Sequence, residues 1–497
     1  MKAIKVTSEI GHLRKLLIHS PDGGIGTIIP SKFRDWLYDD TVHLGKMQKQ
    51  YDEYLKVLLY FLDPGKMDEI NAYEKIHANR NIFKPDHPEY FASDKVVDVQ
   101  YRLSVILKDE AIRTKLIAAI CALEGCPLSI EKELATLPPP TLAKVLITGV
   151  IARRTDKKVN TFIFPPLPNL IFTRDIGITI NDHILLSKTS KQARKRESLL
   201  AKFIVYYDLL KEDHEKVLEI TEDSDFFLED ESIQKEKLIS IEGGDIMMIG
   251  KHHLLVGCSE RTSASAVNAI INTVFSKPAI EIEYVTVIKI EEDRSQMHID
   301  TIFTQISRSE WVIHTSFSEK LKKQKQALHF DRTYSLMHAG TAATDVVKII
   351  QYYKPVYETY DAGKEYLHEN KLEGMEDLLA SISESEYGIP RNDVKIIYSG
   401  NAEFPHDERE QWTDACNLLA IKEGVVIGYA RNERTAKAFE EQLNYKVIKS
   451  RYLIQQFEEG TLAPADVEKT LILLPSSELS RARGGSHCMS MPLLRDK

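Results

Sequence analysis

Cys488 stands in the run Arg481-Ala482-Arg483-Gly484-Gly485-Ser486-His487-Cys488-Met489-Ser490-Met491-Pro492. Small residues there let a ligand come close, and the neighbouring arginines and histidine are placed to lower the thiol's pKa, which makes the cysteine a candidate nucleophile. Upstream lie Phe172-Thr173-Arg174-Asp175, Glu242-Gly243-Gly244-Asp245 and His298-Ile299-Asp300. One thiol, one histidine and several carboxylates are the groups needed to attack a cationic carbon. The acids hold the cation, the thiolate adds to it and the imidazole moves protons.

Each motif has a plainer reading by itself. His298 and Asp300 are two apart in an apolar strand pattern and so project from one face, but an isolated histidine usually finds an ordinary hydrogen bond. Glu242 to Asp245 alone is an acidic turn around a glycine pair, and Asp175 alone could cap a helix or join an ion pair. The co-occurrence of the motifs carries the chemical reading. Asp175, Glu242, His298 and Asp300 could also ligate an ion, but no HExxH, HxH or cysteine pair accompanies them, so no metal is expected. No GxSxG elbow supports a serine hydrolase.

The elements that must position these groups follow from periodicity. From about Met47 to Val150 the pattern is helical: Tyr51, Tyr54, Leu55, Leu58 and Leu59 recur at helical spacing, and Val105, Ile112, Leu116, Ile117 and Ile120 keep to one helical face. Pro138-Pro139-Pro140 breaks that block before an amphipathic piece from Leu142 to Val150.

Outside it runs a faint repeat, in which an apolar run and a polar turn are followed by a second apolar strand. Residues 169–175 precede Ile184-Leu185-Leu186-Ser187, residues 242–245 precede His253-Leu254-Leu255-Val256-Gly257, and residues 298–300 precede Trp311-Val312-Ile313-His314. Residues 417–420 precede Val425-Val426-Ile427-Gly428-Tyr429, and Leu13 to His19 makes a further unit. Such modules bury their apolar faces by closing around an axis with functional loops at one end. Residues 316–399 fit this pattern least and are expected to hold an insertion, with helical stretches at Glu319 to Ala327, Ala343 to Tyr353 and Met375 to Ser383.

Composition bounds the class. With 43% hydrophobic and 28% charged residues, and no apolar stretch near the ~18 to 20 residues a membrane span needs, the chain reads as a soluble globular protein with no membrane partner. No signal-peptide pattern opens the sequence, so a cytoplasmic location is expected. A formal charge of −9 argues against general nucleic-acid binding, and five cysteines at irregular spacing do not form a disulfide framework.

FTRD at Phe172 to Asp175, EGGD at Glu242 to Asp245, MHID at Met297 to Asp300 and HCMSMP at His487 to Pro492 occur in the order of the arginine deiminase family, which the chain resembles over nearly its whole length. The resemblance implies the α/β fold of the guanidine-modifying superfamily, a five-bladed pseudo-symmetric α/β-propeller with an inserted helical subdomain. Residues 1–46 and 151–497 would form the catalytic propeller, with the insertion within 316–399, and residues 47–150 the helical subdomain. It implies Cys488 as nucleophile, His298 as general acid and base, Asp175 and Asp300 as the carboxylates that grip a guanidinium, and Glu242 as the acid that orients the histidine.

Asn169, Phe172 and the early loop at Leu37 match positions that line the pocket, and Arg194, Arg261 and Arg483 match arginines that handle the substrate's α-carboxylate or gate the site. The implied small-molecule partner is L-arginine, hydrolysed to L-citrulline and ammonia without metal or organic cofactor. A homo-oligomer is compatible with this reading. Its rivals are an arginine dihydrolase that goes on to ornithine, and a non-catalytic arginine-binding sensor. Two departures from the family pattern are a longer stretch between Asp300 and Cys488 and the absence of a glycine in Asp414-Ala415-Cys416-Asn417.

Overall fold

The chain's apolar runs become strands buried on both faces, in a mixed α/β architecture. The structure is a computed structural model that describes residues 4–153, 159–223, 225–290, 297–321, 347–354, 372 and 374–496. Among the described residues there are six sheets, and five share one connectivity. A first strand runs antiparallel to a second, and a third lies parallel on the second's other side. The middle strands are Leu13–Ile18, His183–Leu186, His253–Cys258, Glu310–Ile313 and Val425–Tyr429. These are the second apolar runs of the repeat units. Leu254, Leu255, Val256, Trp311, Val312 and Ile427 are all fully buried, as expected for strands covered on both sides.

The first of these sheets joins distant parts of the chain. Met491–Arg495 pairs antiparallel with Leu13–Ile18, setting Leu17 opposite Met491, and Val96–Asp98 lies parallel on the other side. Lys5 strengthens the junction, since its N–H donates to the Leu493 carbonyl and its carbonyl accepts from Arg495 N–H.

The helical block consists of Leu44–Leu62, Pro64–Ile76, Val99–Ile106, Glu110–Leu123, Leu128–Ala135 and Pro139–Thr148, and it also contributes the strand Val96–Asp98. The single face read through Val105 and Ile120 is divided between two helices, because Asp109 accepts hydrogen bonds from Ala111 and Ile112 N–H and starts a new helix there. Pro139 and Pro140 do not simply interrupt a helix. They open one, at positions where the missing N–H costs nothing. The helix Leu44–Leu62 also reaches the candidate chemistry, since the buried Tyr54 hydroxyl donates to the Ser486 carbonyl at 3.1 Å.

One expected helix is instead a strand. Lys348–Tyr353 pairs antiparallel with Tyr284–Lys289, because β-branched and aromatic residues at 349, 350, 352 and 353 suit a pleated surface better than a helix. Residues 343–346, and 322–327 of the helix expected from Glu319, lie outside the described residues. Met375–Tyr387 is helical, as its spacing predicts.

Candidate active site

Each candidate catalytic residue sits in a short turn leading into the first strand of a sheet. Asp175 lies in the turn Thr173–Ile176 before Gly177–Ile180, and Glu242 precedes the turn Gly243–Asp245 and the strand Ile246–Gly250. His298 and Asp300 flank the start of Ile299–Thr301, ahead of Phe303–Ser307. Cys488 lies in a turn at 486–489 ahead of Met491–Arg495. A further turn, at 412–416, precedes Leu419–Lys422 and supplies Asn417. One local rule, applied in successive sheets, thus brings together residues that are far apart in sequence.

The turns hold one another by backbone and amide contacts. Asn417 Oδ1 accepts from Cys488 N–H at 2.9 Å, while its Nδ2 donates to the Asp300 carbonyl at 3.0 Å. Arg174 N–H donates to the Cys488 carbonyl at 3.0 Å, and Ile299 N–H donates to Asp245 Oδ1 at 3.1 Å. Two glycines are required by close approach. A Cβ on Gly244 would stand 2.6 Å from His298 Nδ1, and one on Gly485 would stand 2.3 Å from the Asn417 carbonyl oxygen.

Asp175, Glu242, His298, Asp300 and Cys488 are each no more than 4% exposed. His298 Nε2 donates to Glu242 Oε2 at 3.1 Å, and its Nδ1 lies 3.8 Å from Asp175 Oδ1. Burial alone would lower this imidazole's pKa, but Asp175, Glu242 and Asp245 more than reverse that and raise it to about 10. Burial raises Glu242 in turn, and Arg194, His298 and Arg261 bring it down to about 2. His298 is therefore a cation at neutral pH, held between carboxylates.

Cys488 differs from its sequence expectation. Its Sγ donates to Asp300 Oδ2 at 3.5 Å, and burial together with Asp300, Asp175 and Asp414 pushes the thiol well above its ordinary pKa. The flanking cations that were expected to lower it are engaged elsewhere. Arg481 donates to Asp40 at 2.6 Å, the Arg483 guanidinium stacks 3.6 Å from the Trp412 ring centroid, and His487 Nδ1 faces Asp300 at 2.8 Å.

Arg194 is drawn into the carboxylate cluster. Its Nη1 donates to Asp175 Oδ2 at 3.0 Å and to Glu242 Oε2 at 2.9 Å, and its Nε donates to Glu197 at 2.8 Å. Arg261 lies 3.7 Å from Glu242, and Arg483 lies 3.5 Å from Asp39. Asn169 donates to the Trp36 carbonyl at 2.8 Å, and the Phe172 ring packs where a Cβ on Gly484 would be. Leu37, at a left-handed φ of 61°, ends the short helix Phe33–Trp36. Among the candidate residues, Leu37 alone lines a neighbouring cleft of about 860 Å³, walled by Trp36, Phe164, Leu167 and Arg196.

Asp175, Glu242 and His298 offer ligand atoms within 4.8 Å of one another. Those carboxylates already receive the Arg194 guanidinium, so a metal ion there would face a buried cation, and the donor set suits a guanidinium better. Sequence reasoning missed several partners: Glu9, Arg174, Glu197 and Asn417, and His487 except as a neighbour of the thiol. Arg174 and His487 lay inside the matched motifs, and Asn417 in the segment 414–417 that departs from the family pattern. The signal for Asn417 was its place in the turn of the last repeat unit.

A sequence model of the arginine deiminase family matches residues 141–495. The chain is 27% identical to the arginine deiminase of Borrelia garinii subsp. bavariensis, over 100% of this chain and 98% of that protein. It is also 27% identical to the arginine deiminase of Staphylococcus haemolyticus, over 99% and 98%. Among solved structures, an amidinotransferase of the saxitoxin biosynthetic pathway from Microseira wollei superposes over 99% of this chain and 98% of that one, with a TM-score of 0.45 and 11% identity. With a family match covering well over half its length, the chain belongs to the arginine deiminase family, hydrolases acting on C–N bonds of linear amidines.

Proposed function

We propose that the protein hydrolyses L-arginine to L-citrulline and ammonia through a covalent amidino-thioether on Cys488. The observation that carries this reading is a pair of carboxylate oxygens. Asp175 Oδ1 and Asp300 Oδ1 are buried, accept no hydrogen bond from any described residue, and belong to acids that border His298 and Cys488 respectively. A buried carboxylate oxygen without a donor is costly, and the planar, paired N–H groups of a guanidinium are suited to satisfy two of them at once.

The arriving cation offsets the acids that keep Cys488 protonated, and as the guanidinium binds the thiol releases its proton to solvent, to be regained from the hydroxyl of the tetrahedral adduct when the C–S bond finally breaks. The thiolate then forms a C–S bond to the guanidinium carbon while a C=N π bond opens. His298 gives its proton to the departing nitrogen, the C–N bond breaks and ammonia leaves. Water adds to the amidino carbon as His298 takes back a proton, and the C–S bond breaks to release the ureido product. Asp175 and Asp300 hold the guanidinium and Glu242 orients His298. Arg261 and Arg483 serve the α-carboxylate, with Asn169, Phe172 and Leu37 shaping the pocket. Arg194 fixes Asp175 and Glu242 through Nη1, and its Nη2, which has no partner among the described residues, is left for the substrate's α-carboxylate. Arginines beside the pocket also disfavour a purely cationic amine such as agmatine.

The five sheets of common connectivity serve as blades around one pseudo-symmetry axis, with residues 47–150 as an inserted helical subdomain and a further insertion within 316–399.

The test is to incubate the purified protein with arginine and quantify citrulline, ornithine and ammonia, with Cys488→Ala as control. Equimolar citrulline and ammonia that disappear in a folded Cys488→Ala variant are expected. Ornithine with two ammonia per arginine would replace this reading by dihydrolysis, and binding without product would replace it by a sensor.

A further inference from the structure

Asp300 is the carboxylate nearest the nucleophile, and a second buried line of residues stands behind it. His487 Nδ1 is 2.8 Å from Asp300 Oδ2, and His487 Nε2 is 2.8 Å from Arg174 Nη2 and 3.2 Å from Glu9 Oε2. Arg174 in turn presents both terminal nitrogens to the two oxygens of Glu9 at 3.3 Å. Glu9, Arg174 and His487 are 4%, 1% and 2% exposed, so water does not substitute for these contacts.

The geometry decides how His487 faces Asp300. On its far side the ring's Nε2 meets a guanidinium that can only donate, at 2.8 Å, and a carboxylate that can only accept, at 3.2 Å. The Asp300 carboxylate can only accept, so Nδ1 carries a proton and donates it to Asp300 Oδ2 at 2.8 Å. Glu9 supplies the negative charge that lets Arg174 be buried beside the ring. Burial pushes the Glu9 carboxyl up, but Arg174 and His487 outweigh it and hold it far below the usual carboxylate range.

We propose that His487, held by Arg174 and Glu9 with its Nδ1–H toward Asp300, is a positioning residue that anchors Asp300 Oδ2 and thereby keeps Asp300 Oδ1 aimed at the substrate cation. The role rests on the deiminase reading above. One oxygen of Asp300 is tied back to His487 and the thiol, and the other accepts no hydrogen bond from any described residue. When Cys488 gives up its proton, Oδ2 loses one donor but keeps His487, so the carboxylate does not swing away from the guanidinium.

The test compares His487→Asn, which keeps an N–H near the Nδ1 position, with His487→Phe, which has none, and with Glu9→Gln. Two readouts are used: kcat and KM for arginine, and the ratio of Cys488 alkylation rates by a cationic haloacetamidine and by neutral iodoacetamide. The ratio needs no turnover, so it reports on Asp300 even if arginine proves not to be the substrate. The wild type should prefer the cationic reagent by about tenfold or more, a preference His487→Asn keeps within about threefold and His487→Phe loses.

Glu9→Gln should raise KM for arginine about tenfold with a smaller effect on kcat, because Arg174 is then released to compete for Asp300. A general loss of structure would depress both alkylation rates together. If His487→Phe does not fold, the Asn variant and Glu9→Gln decide. The proposal is overturned if the Asn variant loses the cationic preference, if a folded Phe variant retains it, or if Glu9→Gln leaves KM unchanged.

Discussion

His298 and Cys488 are tuned in opposite senses by the same carboxylates. Asp175 helps to raise the imidazole's pKa and, after burial and Asp300, also raises the thiol's. The resting site therefore holds a histidine cation and a neutral cysteine. For His298 the folded value of about 10 stands above its ordinary 6.5, so the folded state binds this proton more tightly than the unfolded chain does. Its contribution to stability is full below about pH 6.5 and fades as pH rises through about 10. The melting-temperature gap between wild type and His298→Asn should accordingly be widest at pH 6 and narrow steadily toward pH 10. A gap that stays constant or widens would show that the histidine's proton is not held this way. At this scale the sequence pointed to the groups that the fold brings together, because thiol, imidazole and carboxylate are rare enough in combination to stand out. It misjudged the thiol's pKa, because neighbours in sequence need not be neighbours in space, as Arg481 and Arg483 demonstrate by turning to Asp40 and Trp412.

The turns that precede the first strands are the elements on which positioning depends. Gly243 and Gly244 matter less for flexibility than for room, since a Cβ on Gly244 would overlap the His298 ring. Gly244→Ala should cost about 1–3 kcal/mol of stability, the usual scale for overpacking, and lower kcat by about tenfold or more through displacement of the imidazole. Denaturant unfolding and steady-state kinetics would check both, and an unperturbed kcat would remove the need for glycine at this contact. The repeat was legible because its second strands are uninterrupted apolar runs, as at Val425-Val426-Ile427. The strands beyond them were not. Val217–Leu218 is too short to show a period, and Lys348–Tyr353 was read as helix because two isoleucines and two tyrosines satisfy either period over six residues. The break at Asp109 shows the converse case, a cap overriding a continuous apolar face.

Across the whole molecule, Met491–Arg495 is both the strand that follows Cys488 and the partner of Leu13–Ile18, which follows Glu9. Leu493 is fully buried in that strand. Leu493→Asp should cost about 3–5 kcal/mol, because a buried carboxylate there has no designed partner, and activity should fall in parallel with the loss of cooperative unfolding. Retained activity in a variant with a lowered midpoint would show that the Cys488 turn does not depend on this strand.

The sheet that joins these distant segments also sets an order of events. His487 meets Asp300 across 187 residues of chain and Glu9 across 478. Contacts that span such lengths bear the largest loop-closure entropy and form late, after the hairpins and helices made from near neighbours. On refolding from denaturant, ellipticity should therefore recover before the capacity to act on arginine. Until the last and longest loop closes, the chain is a nearly complete scaffold whose reactive thiol has no cradle of carboxylates around it.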